Sequence, residues 1–439
     1  MNNIQPDTFI HLQKLKILNV AENSLDYLPA IRSATLDQLE FHNNLNLTVI
    51  SENLTFHMDN TISEIAADYT AISSFPDDFF MNLSKLEELT FRQVPLATFP
   101  NLTSCKLLKT IIGGYCNILD IPSRALAGLE QLTKIIITHC GIRSIADDAF
   151  AGTTNVQKIE MRENALQNVS YDIFSKMLSL RILNLAHNKL KVFPKVYSAE
   201  IEEIDISNNK ELDHIPDDIT FHPDNKITDL YLHYTSLVSF PKDFFKNLTN
   251  LQTLKLHHTK INSVPVLHQS GQLSSLFLYS NANLKSLVDD SFKGLNNVNM
   301  INVQYCRLLE INRTTFSGLC SLQILKLEGN RLTMCPSLDC SRQSLVLLNL
   351  KKNKIKQVNK THLWNMTVLE ELNLAENDLD QFPFEVFSSM PALRILDLQG
   401  NNFRELYDIA PYLVSPGLEI DVSNMDIPCD CKLCWITEV

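Results

Sequence analysis

The chain has 439 residues, 45% hydrophobic and 20% charged, with a net charge of −12. That composition excludes a disordered polymer. The acidic balance argues against nucleic acid as a general partner, because phosphate binding needs a basic footprint. No run of about 18 apolar residues occurs, so no membrane span is expected within the chain.

The first residues, MNNIQPDTFI, lack the charged and apolar regions of a signal peptide. Residues 1–14 read as the back half of a truncated repeat whose strand is missing. The chain is therefore expected to be a fragment or an incomplete gene model. From Leu15 onward one unit, Leu-x-x-Leu-x-Leu-x-x-Asn-x-Leu, recurs about every 24 residues. It reads LKILNVAENSL from Leu15, LRILNLAHNKL from Leu180, LQILKLEGNRL from Leu322 and LRILDLQGNNF from Leu393. Units start at Leu15, Leu36, Ile62, Leu86, Leu108, Leu132, Val156, Leu180 and Ile201. They continue at Ile227, Leu251, Leu273, Val298, Leu322, Leu345, Leu369 and Leu393, with a degenerate start at Gly417.

Such a period implies a solenoid, in which stacked units share one core. Period-2 alternation points the fourth and sixth residues of each unit inward, and the third, fifth and seventh to the open face of a parallel sheet. The ninth residue, usually Asn, falls in the turn, where its amide can pair backbone groups of neighbouring coils. Phe9, Phe56, Phe80, Phe150, Phe174, Phe221, Phe245, Phe292, Phe316 and Phe387 each precede a unit start by the same interval, with Leu126 and Leu363 filling that place twice. They are predicted to form an apolar spine on the side opposite the sheet.

The spacing of starts is itself repeated, so residues 15–179 and 180–344 read as an internal duplication. The segment ISSFPDDFFMNL from Ile72 has its counterpart in LVSFPKDFFKNL from Leu237.

On these motifs the chain resembles the extracellular leucine-rich-repeat family, in its typical 24-residue class with a phenylalanine spine. The resemblance implies an α/β fold: a leucine-rich-repeat solenoid (a curved horseshoe) with a parallel β-sheet on the concave face and short helical or irregular turns on the convex one. Seventeen repeats are expected over 15–416. Residues 417–439 are expected to hold a degenerate last repeat and an incomplete cysteine-rich cap. Cys429, Cys431 and Trp435 match the opening of that cap, while its downstream cysteines are missing. The family includes Toll-like receptors, adhesion and guidance proteins, matrix components and non-catalytic enzyme subunits, and its concave sheet usually binds protein.

Of the ten cysteines, Cys116, Cys140 and Cys306 fall at the Asn-like ninth position, where a small buried side chain suffices. Cys320 and Cys340 precede consecutive unit starts, and Cys335 with Cys340 is the rival pair. Cys105 has no evident partner. Disulfide candidates are thus Cys320, Cys335, Cys340, Cys429 and Cys431. Sequons for N-glycosylation occur at Asn46, Asn53, Asn82, Asn101, Asn168, Asn247, Asn312, Asn359 and Asn365. With the cap cysteines they point to a secreted or cell-surface setting.

No catalytic motif is present, and no enzyme activity, cofactor or metal is expected. Interaction chemistry is richer. Tyr231, His233 and Tyr234 project beside Lys255, His257 and His258, followed by Phe277, Tyr279 and Tyr305. Strands about 4.8 Å apart would join these rings into one continuous surface. Such a surface suits a binding hot spot, although rings can also stack merely to stabilise a sheet. In the first copy, Ala66 and Asp68 stand where Tyr231 and His233 do, and only Tyr69 matches Tyr234, so the patch is expected chiefly in the second copy. Metal binding by His233, His257 and His258 lacks a completing carboxylate or thiol. An acidic run (Glu200, Glu202, Glu203, Asp205, Glu211, Asp213, Asp217, Asp218) and a basic one (Lys326, Lys351, Lys352, Lys354, Lys356) read first as solvated surface.

The expected function is that of a non-enzymatic ectodomain of a cell-surface receptor or adhesion molecule, binding a protein ligand, glycoproteins included, on its concave face. The alternative is a secreted matrix or regulatory scaffold, or a non-catalytic subunit of a complex. An intracellular interaction repeat is a third class.

Overall fold

The structure is a computed structural model that describes residues 4–52, 54–167, 169–404 and 417–426. The chain divides into two compact units, Met1–Lys226 and Ile227–Val439. Each is a parallel-sheet solenoid built from the repeat predicted above. In the first, strands run from Ile17–Asn19 through Glu88–Arg92, Thr110–Gly114 and Lys134–Thr138 to Glu203–Asp205. In the second they run from Asp229–Tyr231 through Thr253–Lys255 and Ser275–Phe277 to Glu419–Asp421.

Register follows the fourth residue of each unit. Leu89 pairs with Ile111, and Ile111 with Ile135; in the second unit Leu230 pairs with Leu254, Leu254 with Leu276 and Leu276 with Ile301. All are fully buried. A slip of one residue would turn this entire row out to solvent, so the apolar pattern fixes the register. Helix among the described residues is limited to three short turns, Cys340–Gln343, Lys360–Leu363 and Phe384–Ser389.

The ninth-position asparagines bond as their placement suggests. Asn188 donates through Nδ2 to Met161 O at 2.9 Å and Leu185 O at 3.0 Å, and its Oδ1 accepts from Leu166 N at 2.9 Å. One side chain thereby pairs three backbone groups that the turn leaves without strand partners. Opposite the sheet the predicted phenylalanines are buried, apart from the half-buried Phe9. Phe292 stacks on Phe316 at 5.6 Å and Phe150 leans on Phe174 at 6.2 Å. Phe75, Phe79 and Phe80 form a three-ring cluster in the first unit, and Phe240, Phe244 and Phe245 form its match in the second.

Candidate ligand-binding face

Where each strand ends, the chain makes a turn that residue types do not announce. The eighth residue of the unit takes a left-handed backbone conformation: Tyr69 at φ 57°, Tyr115 at 54°, His139 at 57°, Tyr234 at 54°, His258 at 54°, Ser280 at 58° and Tyr305 at 54°. Bulky L-residues avoid this region. The cross-coil ladder imposes it, because Tyr234 N donates to His257 O, His258 N to Tyr279 O and Tyr305 N to Glu328 O. Seventh and eighth residues therefore stand as two adjacent rows along the sheet.

In the second unit these rows carry rings. His233, His257 and Tyr279, all seventh residues, stack in sequence, with centroids 4.4 Å and then 4.1 Å apart. Tyr234 and His258, eighth residues, stack beside them at 4.2 Å. Tyr231 meets His233 edge-on at 6.3 Å. Lys255 holds its ammonium 4.3 Å from the centre of the Tyr231 ring and 5.9 Å from that of Phe277. The structure brings most of these residues together, and differs from the expectation at two of them. His257 is buried rather than exposed, because rings cover both of its faces. Tyr305 does not continue the surface, since no ring contact joins it to Tyr279 among the described residues.

Tyr305 instead turns toward the following coil. A Cβ on Gly329 would lie 2.2 Å from its Cδ1, so the missing side chain at Gly329 is what makes room for the ring. The Tyr305 hydroxyl donates to Glu328 Oε1 at 2.5 Å. That bond, together with burial, pushes the Tyr305 pKa up to about 12. The other oxygen of Glu328 accepts from Gln304 Nε2 at 2.8 Å and Asn349 Nδ2 at 3.2 Å.

His257 and His258 are both held toward the neutral form. Burial, then the fields of His233, His258 and Lys255, lower the His257 pKa from 6.5 to about 3. Burial lowers that of His258 too. Their Nδ1 atoms lie 3.0 Å apart. Among the described residues no group of three or more His, Cys, Asp or Glu side chains is placed to hold a metal ion.

The model of the family described as leucine rich repeat matches residues 116–190, 225–282, 271–332 and 343–403, more than half of the chain. The chain belongs to the leucine-rich-repeat family. No curated protein matches it in sequence. Among solved structures it is similar to the Toll chain of the Drosophila Toll–Spatzle complex: 19% identity, 100% of this chain and 57% of that one, TM-score 0.69. It is also similar to a chain of the LRIM1/APL1C complex, at 16% identity over 94% and 72% of the two chains with TM-score 0.64. For the TLR13–ssRNA13 complex the identity is 18% over 100% and 64%, with TM-score 0.60. The chain spans less than two thirds of the Toll and TLR13 chains, and at these identities the likeness is one of fold.

The leucine-rich-repeat framework explains the cysteines, and corrects two expectations. Cys116 and Cys140 form a disulfide, with Cα atoms 4.3 Å apart. Ninth residues of consecutive coils lie one strand spacing apart, which suits a disulfide. The signal was present in the sequence as two successive units with Cys at that place. Cys306 occupies the same position but faces Asn281 on the coil before it. It stays a thiol, bonded through Sγ to Leu278 O at 3.1 Å and pushed up to about 12 by burial. Cys320 pairs with Cys340, so Cys335, the rival candidate, is a buried free thiol, as is Cys105. Cys429 and Cys431 lie outside the described residues.

Asn53 and Asn168 also lie outside the described residues. Asn46, Asn101, Asn312, Asn359 and Asn365 are exposed, and Asn82 and Asn247 are half-buried. The Asn82 amide is in use, donating to Phe56 O at 2.8 Å. The charge runs are partly neutralised within their own units: Arg181 pairs with Glu202 at 2.8 Å, Lys226 with Glu200 at 2.6 Å, and Lys351 with Glu376 at 3.3 Å. No described helix is long and apolar enough to cross a membrane.

The first unit holds an aromatic pair of its own. Tyr115 stacks on His139 at 4.4 Å, and His139 Nε2 pairs with Glu163. Both rings stand in the eighth-residue row, one residue before the disulfide cysteines.

Proposed function

We propose that the chain is a non-enzymatic, protein-binding ectodomain of a cell-surface receptor or adhesion molecule, and that the face bearing Tyr231, His233, Tyr234, Lys255, His257, His258, Phe277, Tyr279 and Tyr305 receives the ligand. The observation that carries this reading is the double row of stacked rings on an open sheet face. Stacked, rotamer-restricted aromatics offer a large contact area at low entropic cost, which is the chemistry of binding hot spots. Stability alone does not call for Tyr234, within that row, to stand 38% exposed.

Supporting lines agree. The disulfides Cys116–Cys140 and Cys320–Cys340 fit an oxidising compartment. Toll is known in complex with Spatzle, and LRIM1 in complex with APL1C. TLR13 is known in complex with ssRNA13, but a net charge of −12 disfavours a polyanion here.

The test is an array of secreted and cell-surface proteins probed with the wild-type chain and with Tyr231→Ala/Tyr279→Ala. The reading expects a binder that the double variant loses by about ten-fold or more, with its far-ultraviolet spectrum unchanged. A variant that unfolds, or one that keeps every binder, would show that the rings serve the sheet alone.

A further inference from the structure

The eighth-residue row of the second unit has one rung without a ring. Tyr234 and His258 stack at 4.2 Å, with planes 21° apart. The next rung is Ser280, and the one after it is Tyr305. Tyr305 does not lean into the rung at Ser280. Its ring lies over Gly329 on the far side, and Glu328 holds its hydroxyl there. Consecutive coils are about 4.8 Å apart, so two spacings separate the backbone at His258 from that at Tyr305.

The first unit shows that this row seats a ring on each of two successive coils. Tyr115 and His139 fill consecutive rungs and stack at 4.4 Å, with planes 19° apart. On the duplication proposed from the sequence, Tyr115 is the counterpart of Ser280 and His139 that of Tyr305. Ser280 and Tyr115 also share a backbone conformation, at φ 58° and 54°. One chain therefore presents the same rung once filled by its own tyrosine and once carrying only a half-buried serine, with Tyr279 edge-on to His258 at 5.4 Å.

We propose that the open rung at Ser280 receives one neutral aromatic side chain of the bound protein, inserted between His258 and Tyr305. This rests on the reading of the ring-bearing face as a protein-binding surface, and names what its partner must supply. A guanidinium is the other planar group that stacks on rings, but the precedent on this chain is a neutral ring: Tyr115, the counterpart of Ser280, fills its rung and stacks on His139. The Lys255 ammonium over the Tyr231 ring adds positive field beside His257, and a neutral ring stacked on His258 needs no counter-charge.

The experiment selects peptides from a random displayed library on the wild-type chain and counter-selects on Tyr231→Ala/Tyr279→Ala. Survivors are then measured against Ser280→Tyr and Ser280→Ala. The proposal expects survivors to share an aromatic residue whose replacement by Ala weakens binding about ten-fold or more. Ser280→Tyr, which fills the rung from within, should weaken them to a similar extent, and Ser280→Ala should leave them within about two-fold, as surface truncations usually do. Wild-type thermal unfolding of Ser280→Tyr shows that the loss is not one of folding. Survivors that bind Ser280→Tyr as tightly as wild type, or that anchor through arginine, overturn the open rung and leave the ring face standing. A counter-selection with no survivors overturns the ring face, and the open rung with it.

Discussion

His257 and Tyr279 lie face to face, ring centroids 4.1 Å apart and planes 9° from parallel, while His233 covers the other side of His257 at 4.4 Å. An imidazole enclosed in this way has little room for a charge. Its pKa falls from 6.5 to about 3, chiefly through burial.

The consequence for stability has a definite sign. Below the unfolded-state pKa the unfolded chain binds a proton that folded His257 refuses until about pH 3. Stability is therefore lost as pH falls from 6.5 toward 3 and levels off below that. His258, also lowered by burial, adds to the same slope. His257→Gln should remove up to one proton from that slope, at most about 1.4 kcal/mol per pH unit. Urea unfolding across this pH range checks it, and an unchanged slope in the variant would place the proton uptake elsewhere.

The bridge between Cys116 and Cys140 closes a loop of 24 residues, which in the chain-entropy account is worth about 3 kcal/mol. Cys116→Ser/Cys140→Ser should lower stability by roughly that amount. Cys116→Asn/Cys140→Asn should lose less, because an amide at this place can pair backbone groups as Asn164 does, accepting from Cys140 N at 3.0 Å and donating to Ile137 O at 2.8 Å. Equal losses in the two pairs, read from denaturant midpoints, would deny the ninth-position amide this role.

How far the sequence carried varied with the physics. Leu230, Leu254 and Leu276 announce their register because burial of one face tolerates only one alternation. Asn188 announces its role because a short amide in a turn has backbone groups to pair. The left-handed turn at Tyr234, His258 and Tyr305 was illegible, since their side chains argue against it and only the bonds to the next coil enforce it. For the same reason Tyr305 could not be read as turning away from Tyr279: its direction depends on Gly329, a whole coil later. The Cys116–Cys140 bond was legible in principle, and was missed by treating each ninth residue singly rather than against its neighbour.

Gly329 combines a φ of +67° with the Tyr305 ring where a Cβ would be. Gly329→Ala should destabilise the chain by about 1–3 kcal/mol, from backbone strain and overpacking together. The two contributions separate in a double-mutant cycle with Tyr305→Ala. If Tyr305 is the obstacle, the alanine at 329 costs distinctly less once the ring is gone. Strict additivity of the two substitutions in chemical denaturation would mean that the ring and the glycine are not coupled.

Glycan placement tests the proposed extracellular setting at single residues. In chain secreted from a glycosylating host, glycopeptide mapping should find modification at the exposed Asn46, Asn101, Asn312, Asn359 and Asn365. Asn82 should stay unmodified. Its Nδ2, the atom a glycan would occupy, donates to Phe56 O at 2.8 Å, while its backbone carbonyl accepts from Asn60 Nδ2 at 2.9 Å. The same bond predicts that Asn82→Ala costs about 1 kcal/mol or more, whereas Asn46→Ala stays within about 0.5 kcal/mol. A chain fully modified at Asn82 and still of wild-type stability would show that the amide bond to Phe56 contributes nothing to the fold. A secreted chain bare at all five exposed sites would count directly against the ectodomain reading.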